Sequence, residues 1–178
     1  MYATGTVHIE VLISAVVTEG FKAIRVQSLE TCAPEVWRGI GCWHSSDVWS
    51  LGVTLVHWLC PFLLFGAKDK MIQGHTEAWC IAKIQRLIGP LGPPVNPDFD
   101  EEFVVAEHIE TTSFVHPDTN VETQYIKKGT LREELERSQD PEVPPDLIDF
   151  IEHLLVVDNL KRPTASMALQ HPYLQSLS

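Results

Sequence analysis

The sequence has few basic residues. It contains 13 Lys and Arg against 24 Asp and Glu among 178 residues, which gives a formal net charge of −11. Phosphate backbones and anionic lipid surfaces repel such a chain, so we expect neither nucleic acid nor membrane as a partner. An acidic surface would suit a basic protein partner, but it is more often a solubility feature, and the composition leaves both readings open.

The sequence is also poor in cysteine, and long hydrophobic runs are missing. The four cysteines, Cys32, Cys42, Cys60 and Cys80, show no C-x-x-C spacing, so neither a zinc site nor a disulfide framework is expected. The apolar run in the first 20 residues is interrupted by Glu10 and has no basic n-region. We therefore expect no signal peptide or membrane span, and reduced thiols in an intracellular protein, cytoplasmic or nuclear.

The most apolar stretch, residues 45–60, predicts one helix. Ser45 or Ser46 offers an N-cap hydroxyl, Asp47 lies in the first turn where its charge suits the helix dipole, and Pro61 ends the helix. With about 14 residues it is short for a membrane span. Because nearly all its later side chains are apolar or small, the pattern predicts a helix surrounded by core on all sides.

Apolar spacing predicts further helices. Residues 75–87 have helical periodicity and end at two Gly-Pro turns. Residues 145–156 form an amphipathic helix with Pro145 at its first position, and Thr164 caps a last helix through Leu169. Valine, isoleucine and alternating polarity predict a strand or hairpin arm in residues 6–17. The predicted fold is a mainly α bundle with a short N-terminal β or extended segment.

Residues 96–141 are the least regular part of the sequence. They include an acidic cluster near their start and one short amphipathic helix at about residues 131–137. Within that helix, the substitution Arg132→Ala is expected to be nearly silent. His108 and His116 also lie here, but neither has a metal-ligand spacing to a carboxylate, so no metal site is expected.

Three elements carry a family resemblance. They are Ala33-Pro34-Glu35, then Ser46-Asp47-Val48-Trp49-Ser50-Leu51-Gly52-Val53, and finally Leu160-Lys161-Arg162-Pro163-Thr164-Ala165 with His171-Pro172-Tyr173-Leu174. In order and spacing they resemble the A-P-E motif, the central lobe helix and the last helices of eukaryotic-type Ser/Thr protein kinase domains. The nearest likeness is to the CMGC group and its SR-protein-kinase-like members. The resemblance implies a helical C-terminal-lobe bundle over residues 1–178, with a CMGC-type insert at 96–141.

The resemblance also shows which chemical groups are missing. Phosphoryl transfer from ATP needs a phosphate cradle, a lysine, a magnesium clamp and an aligning base. The sequence contains no G-x-G-x-x-G, V-A-I-K, H-R-D-x-x-x-x-N or D-F-G motif. Extended backwards, the resemblance puts Val11 and Ile13 where D-F-G has its metal-binding Asp and its Gly, and valine offers no oxygen to a cation. We therefore expect no catalytic, cofactor-binding or metal-binding residue, although the complete family domain uses ATP and magnesium.

Seven residues take structural roles by the same resemblance: Ala33, Pro34, Glu35, Asp47, Trp49, Gly52 and Arg162. Glu35 is expected to pair with Arg162, because a guanidinium fork matches a carboxylate; the alternative is two solvated charges. Asp47 matches an aspartate that bonds to the catalytic loop in the family, and without that loop it is expected to cap its own helix. Residues 18–31 correspond to the activation segment, and Cys32 replaces the arginine usual before A-P-E.

Three functional hypotheses follow. The chain is a truncated kinase that is inactive alone, a pseudokinase-like module that binds another protein, or one half of an enzyme completed by a separate N-terminal part. It is an enzyme by resemblance only, since its catalytic residues are missing. A lobe without its counterpart exposes apolar surface, so marginal folding and self-association are expected.

Overall fold

The computed structural model describes residues 25, 27–60, 64–138 and 142–177. The chain order of elements is α1 (Pro34–Trp37), α2 (His44–Leu59), α3 (Thr76–Leu87), a 3-10 turn (Pro97–Phe99), α4 (Asp100–Thr111), β1 (Ser113–Val115), β2 (Glu122–Gln124), α5 (Leu131–Glu136), α6 (Pro145–Leu154), α7 (Ala165–Ala168) and α8 (Pro172–Gln175). This confirms the mainly α class. The strand predicted for residues 6–17, with Val11 and Ile13, lies outside the described residues.

Helix α2 begins earlier than predicted. Trp43 is its N-cap residue, so the prediction of Ser45 or Ser46 at this position was wrong. The Ser46 hydroxyl lies at the third helical position and accepts a hydrogen bond from the Trp43 N–H at 3.0 Å. Ser46 thus satisfies a backbone donor from inside the first turn, as the third residue of a capping box does.

One face of α2 is exposed, so the prediction of burial on all sides was wrong. Its buried face carries Val48, Trp49, Gly52, Val53 and Val56. The opposite face carries Asp47, Leu51, Thr54 and Trp58, four residues that recur at helical spacing and are all exposed. Trp58 is 83% exposed and Leu51 49% exposed, because no described residue covers this stripe. We call these four residues the α2 stripe.

Helix α6 packs against the buried face of α2 through a close approach at Gly52. A Cβ atom added to Gly52 would lie 2.8 Å from Leu155 Cδ2 and 3.1 Å from Leu154 Cβ. The predicted apolar face of α6 is present, with Ile148, Ile151 and Leu154 buried. Glycine at residue 52 therefore sets how closely the two helices approach.

Helix α4 was missed by sequence analysis, although it has 12 residues and packs along α3. Only Ala106 and Ile109 of α4 are buried, so its apolar face is too narrow to produce a clear helical pattern. The hairpin of β1 and β2 follows it, and Phe114 of β1 stacks on Tyr125 with ring centroids 4.5 Å apart. Residues 96–141 are thus more regular than their sequence suggests, while their status as an insert stays a prediction.

Arg132 joins α5 to α6 through surface ion pairs, and the expectation that its replacement by alanine is nearly silent stays a prediction. Its guanidinium donates to Asp149 at 2.5 Å and also binds Glu152. Both carboxylates lie on the outer face of α6, one turn apart, where a long side chain from α5 reaches them. The neighbouring carboxylates raise the pKa of Arg132 above its usual value.

The C-terminal elements follow their predicted capping signal. The Thr164 hydroxyl accepts a hydrogen bond from the Met167 N–H at 3.2 Å, which confirms the predicted cap of α7. The short helix α8, which sequence analysis did not predict, packs back on α6.

We predict that Gly52→Ala destabilises the protein by about 1–2 kcal/mol, because the clash of the new methyl group with Leu155 outweighs the gain in helix propensity. Thr54→Ala, on the exposed face of the same helix, is the matched control and should not lower stability. Denaturant midpoints measure both variants. Equal midpoints for the two variants would show that α2 and α6 do not meet at Gly52.

Candidate functional site

Glu35 and Arg162 form a buried, two-pronged ion pair, although 127 positions separate them in sequence. Arg162 Nη1 donates to Glu35 Oε1 and Nη2 donates to Oε2, each at 2.8 Å. The two residues are only 1% and 4% exposed. The pair expected from the sequence is therefore present, in the fork-to-carboxylate geometry that gives guanidinium bonds their strength and direction.

Every N–H of the Arg162 guanidinium has an acceptor. Besides the carboxylate, Nε donates to the Val156 carbonyl at 2.8 Å, Nη1 to the Ser45 carbonyl at 2.8 Å and Nη2 to the Val157 carbonyl at 3.3 Å. A buried charge is tolerated only when it is paired and its remaining donors are bonded. One side chain thus ties together α1, the first turn of α2 and the loop after α6.

The carboxylate of Glu35 has a further donor and an aromatic neighbour close by. The Ser46 hydroxyl donates to Glu35 Oε1 at 2.6 Å, so Ser46 serves both the cap of α2 and the ion pair. The ring of Trp49, which is fully buried, lies 5.1 Å from Arg162 Cζ. Arg162 therefore has both a carboxylate and an aromatic ring as neighbours, and the ring adds a cation–π contact to the ion pair.

Gln27 fixes the segment before α1 onto α2. Its Oε1 accepts from the Ala33 N–H at 2.9 Å, and its Nε2 donates to Ser50 Oγ at 2.9 Å. The Ser50 hydroxyl in turn donates to the Thr31 carbonyl at 3.0 Å, while Pro34 opens α1. The contacts of Gln27 and Ser50 were not predicted from the sequence, because the two residues are far apart along the chain and no local pattern links them.

Arg25 is held between two aromatic rings. Its Cζ lies 4.5 Å from the ring centre of Trp37 and 4.1 Å from that of Phe99, and its guanidinium also pairs with Glu102. Cation–π contact and an ion pair together anchor this part of the chain to α1 and α4. No sequence pattern predicted this contact, since its members lie in three separate segments.

Asp47 lies in the first turn of α2 but does not cap it, so that expectation was wrong. Ser46 makes the capping contact instead. The Asp47 side chain is exposed, and within the described ranges no hydrogen bond or ion pair reaches its carboxylate. Its charge still lies at the end of α2 where the helix dipole favours it.

The cysteines offer no activated thiol. All four are unpaired, and Cys32, Cys60 and Cys80 are buried. Burial raises the pKa of Cys80 to about 12 and that of Cys32 still further above its usual range. Since the thiolate is the nucleophile and the metal ligand, these groups are unreactive near neutral pH.

Possible ligand sites are few in the part of the chain that the structure describes. No group of three or more potential metal ligands is found there, and no helix there is long and apolar enough to cross a membrane. An open cleft of about 900 Å³ lies beside the ion pair, lined among others by Glu35, Arg38 and Trp43. The carboxylate of Glu35 and the guanidinium of Arg162 are bonded to each other, so the pair stabilises the fold and offers no reactive group to the cleft.

We predict that Arg162→Ala lowers the free energy of unfolding by about 3–5 kcal/mol, because it leaves the Glu35 carboxylate buried without its partner. Arg162→Lys should recover only part of the loss, since an ammonium cannot make two parallel bonds. Lys161→Ala is the control, because Lys161 is the neighbour of Arg162 in sequence and its side chain is 80% exposed. The midpoints of denaturant unfolding of the three variants are compared with that of the parent chain. Equal shifts for Arg162→Ala and Lys161→Ala would show that the pair is not buried.

Comparison with known proteins identifies relatives over most of the chain. Residues 13–174 match the protein kinase domain family. The dual specificity protein kinase lkh1 of Schizosaccharomyces pombe is 26% identical to this chain over 151 residues. The mitogen-activated protein kinase hog1 of Blastobotrys adeninivorans is 33% identical over 129 residues. The human dual specificity protein kinase CLK2 is 25% identical over 147 residues. These alignments cover 79%, 72% and 82% of this chain.

The same alignments span a much smaller share of the relatives, 20%, 26% and 27% of their lengths. All three relatives are kinases of the CMGC group, in agreement with the resemblance in the motifs. The finer likeness to SR-protein kinases stays a prediction. The extent of the family match, together with the pairing of the A-P-E glutamate and the arginine near the C-terminus, shows that this chain belongs to the protein kinase domain family.

Proposed function

We propose that this chain is a structural part of a protein kinase domain and does not transfer phosphate by itself. One observation supports this most strongly: the buried Glu35–Arg162 pair is in place, whereas the four catalytic motifs are missing from the sequence. Phosphoryl transfer depends on positioning and charge stabilisation by those motifs. A lobe that keeps its packing and lacks them retains the shape of the domain without its chemistry.

Activity then belongs to a larger assembly. The chain spans less than a third of the length of the three relatives described above. In a complete domain, ATP and magnesium would be held by residues that this sequence does not contain. We extend the proposal to an intracellular location, cytoplasmic or nuclear, as expected from the kinases to which the chain is similar.

A second candidate function is a pseudokinase-like module that binds another protein. The α2 stripe favours it, because Trp58 and Leu51 present large apolar surfaces to solvent on one helix face. Large apolar side chains that are exposed on one helix face are a feature of contact surfaces. The partner would cover Leu51 and Trp58 with apolar side chains of its own.

We predict that the chain does not bind ATP, with or without magnesium. No glycine-rich loop, phosphate-binding lysine or magnesium-binding aspartate is present to hold the nucleotide. Isothermal titration of the purified chain with ATP tests this, with an intact kinase domain as the positive control. Binding in the micromolar range that requires magnesium would contradict the proposal.

We predict that the α2 stripe drives self-association when no partner is present. Trp58→Lys should shift the chain toward monomer in sedimentation velocity while its unfolding midpoint stays the same, because the side chain is already in solvent. Leu160→Lys is the matched control, since Leu160 is 89% exposed and lies outside the stripe. If both substitutions act alike, or if the parent chain is already a monomer, the stripe is not a contact surface.

A further inference from the structure

The short helix α8 is held on α6 by a cluster of rings. Phe150 of α6 stacks on Tyr173 with centroids 5.9 Å apart, and it meets His171 at 5.2 Å. His153, one turn further along α6, faces His171 at 5.1 Å. Two imidazoles therefore lie against each other where α8 contacts the rest of the molecule.

His171 also caps α8. Its Nδ1 accepts a hydrogen bond from the Tyr173 N–H at 3.3 Å, and its carbonyl oxygen accepts from the Leu174 and Gln175 N–H groups. An imidazole can accept at Nδ1 only when that nitrogen carries no proton. Protonation of His171 thus replaces the acceptor with a second donor and removes the cap.

Protonation of His153, the histidine that faces His171, is also unfavourable in the folded state. Burial and the adjacent His171 both lower the pKa of His153 below its usual value of 6.5. A group whose pKa is lower in the folded state stabilises that state above the unfolded pKa, and this contribution is lost as the pH falls. The stabilisation that neutral His153 gives to the contact between α6 and α8 is therefore lost as the pH falls below neutral.

Other charged groups do not offset this effect. On α6, Asp149 and Glu152 are bound to Arg132, and Asp146 lies in the first turn. The elements packed against α6 carry further charged or titratable groups: His44, Asp47 and His57 on α2, Arg132, Glu133, Glu134 and Glu136 on α5, and Tyr173 on α8. Among all of these and His171, only His171 contributes to the shift at His153.

We propose that His153 and His171 form a proton-operated latch, which holds α8 on α6 near neutral pH and releases it in mild acid. Two events act together on acidification: the cap at Tyr173 is lost, and two positive rings come to face each other. The consequence is local, because the Glu35–Arg162 pair and the α2–α6 contact do not involve these histidines. The latch does not depend on the proposed function of the chain.

Hydrogen exchange followed by mass spectrometry tests the latch on the whole chain. Peptides that cover residues 170–177 are compared at about pH 7.5 and pH 5.5, on either side of the usual histidine value, and corrected with an unstructured peptide of the same sequence. Protection of these amides should fall measurably in acid relative to their protection near neutral pH. Peptides from α3 should keep their protection.

Two variants and one matched control make the test specific. His171→Asn keeps a capping acceptor that cannot be protonated, so α8 should stay protected in acid. His153→Gln removes the facing charge but leaves the cap at His171 able to titrate, so it should restore protection only in part. His116→Asn is the control, because His116 Nδ1 also accepts a local backbone N–H, from Asp118 at 3.2 Å, but faces no second histidine. Loss of protection in acid that persists in both latch variants, or no loss in the parent chain, would overturn the proposal.

Discussion

The structure depends on one buried ion pair. A guanidinium that is taken out of water costs several kcal/mol unless each of its donors is bonded, and here all the donors of Arg162 are bonded, two of them to Glu35. The pair does not need to add net stability to matter, since an apolar pair of the same shape can be equally stable. It fixes the relative positions of three segments that are distant in sequence, because displacing the carboxylate would leave a buried charge unpaired and displacing a carbonyl would leave a buried N–H without an acceptor.

This arrangement separates the packing of a kinase lobe from its chemistry. The pair, the cap by Ser46 and the close contact at Gly52 are complete without any catalytic residue. The same separation leaves the α2 stripe in solvent and Asp47 with an exposed carboxylate. The stripe carries two large apolar side chains, Leu51 and Trp58, which a further contact surface would cover.

The sequence predicted those features that rest on strong local or motif signals. Helices α3 and α6 have wide apolar faces with proline or glycine at their ends, and the Glu35–Arg162 pair followed from two motifs at family spacing. It failed where tertiary contacts decide the outcome. Helix α4 buries too little to show a period, and the carboxylates that pair with Arg132 come from another helix. The exposure of Trp58 depends on which of the described segments pack beside α2. The aromatic contacts of Arg25 join three separate segments, so no local pattern records them.

A double-mutant cycle on the ion pair tests the account most directly. The parent chain, Glu35→Met, Arg162→Met and the double variant are compared by denaturant unfolding. Each single variant should lose about 3–5 kcal/mol, because it strands one buried charge, whereas the double variant should lose clearly less than the sum. A coupling energy of about 2–3 kcal/mol is the predicted result. Losses that add to within about 0.5 kcal/mol would show that Glu35 and Arg162 act independently and do not hold the lobe together.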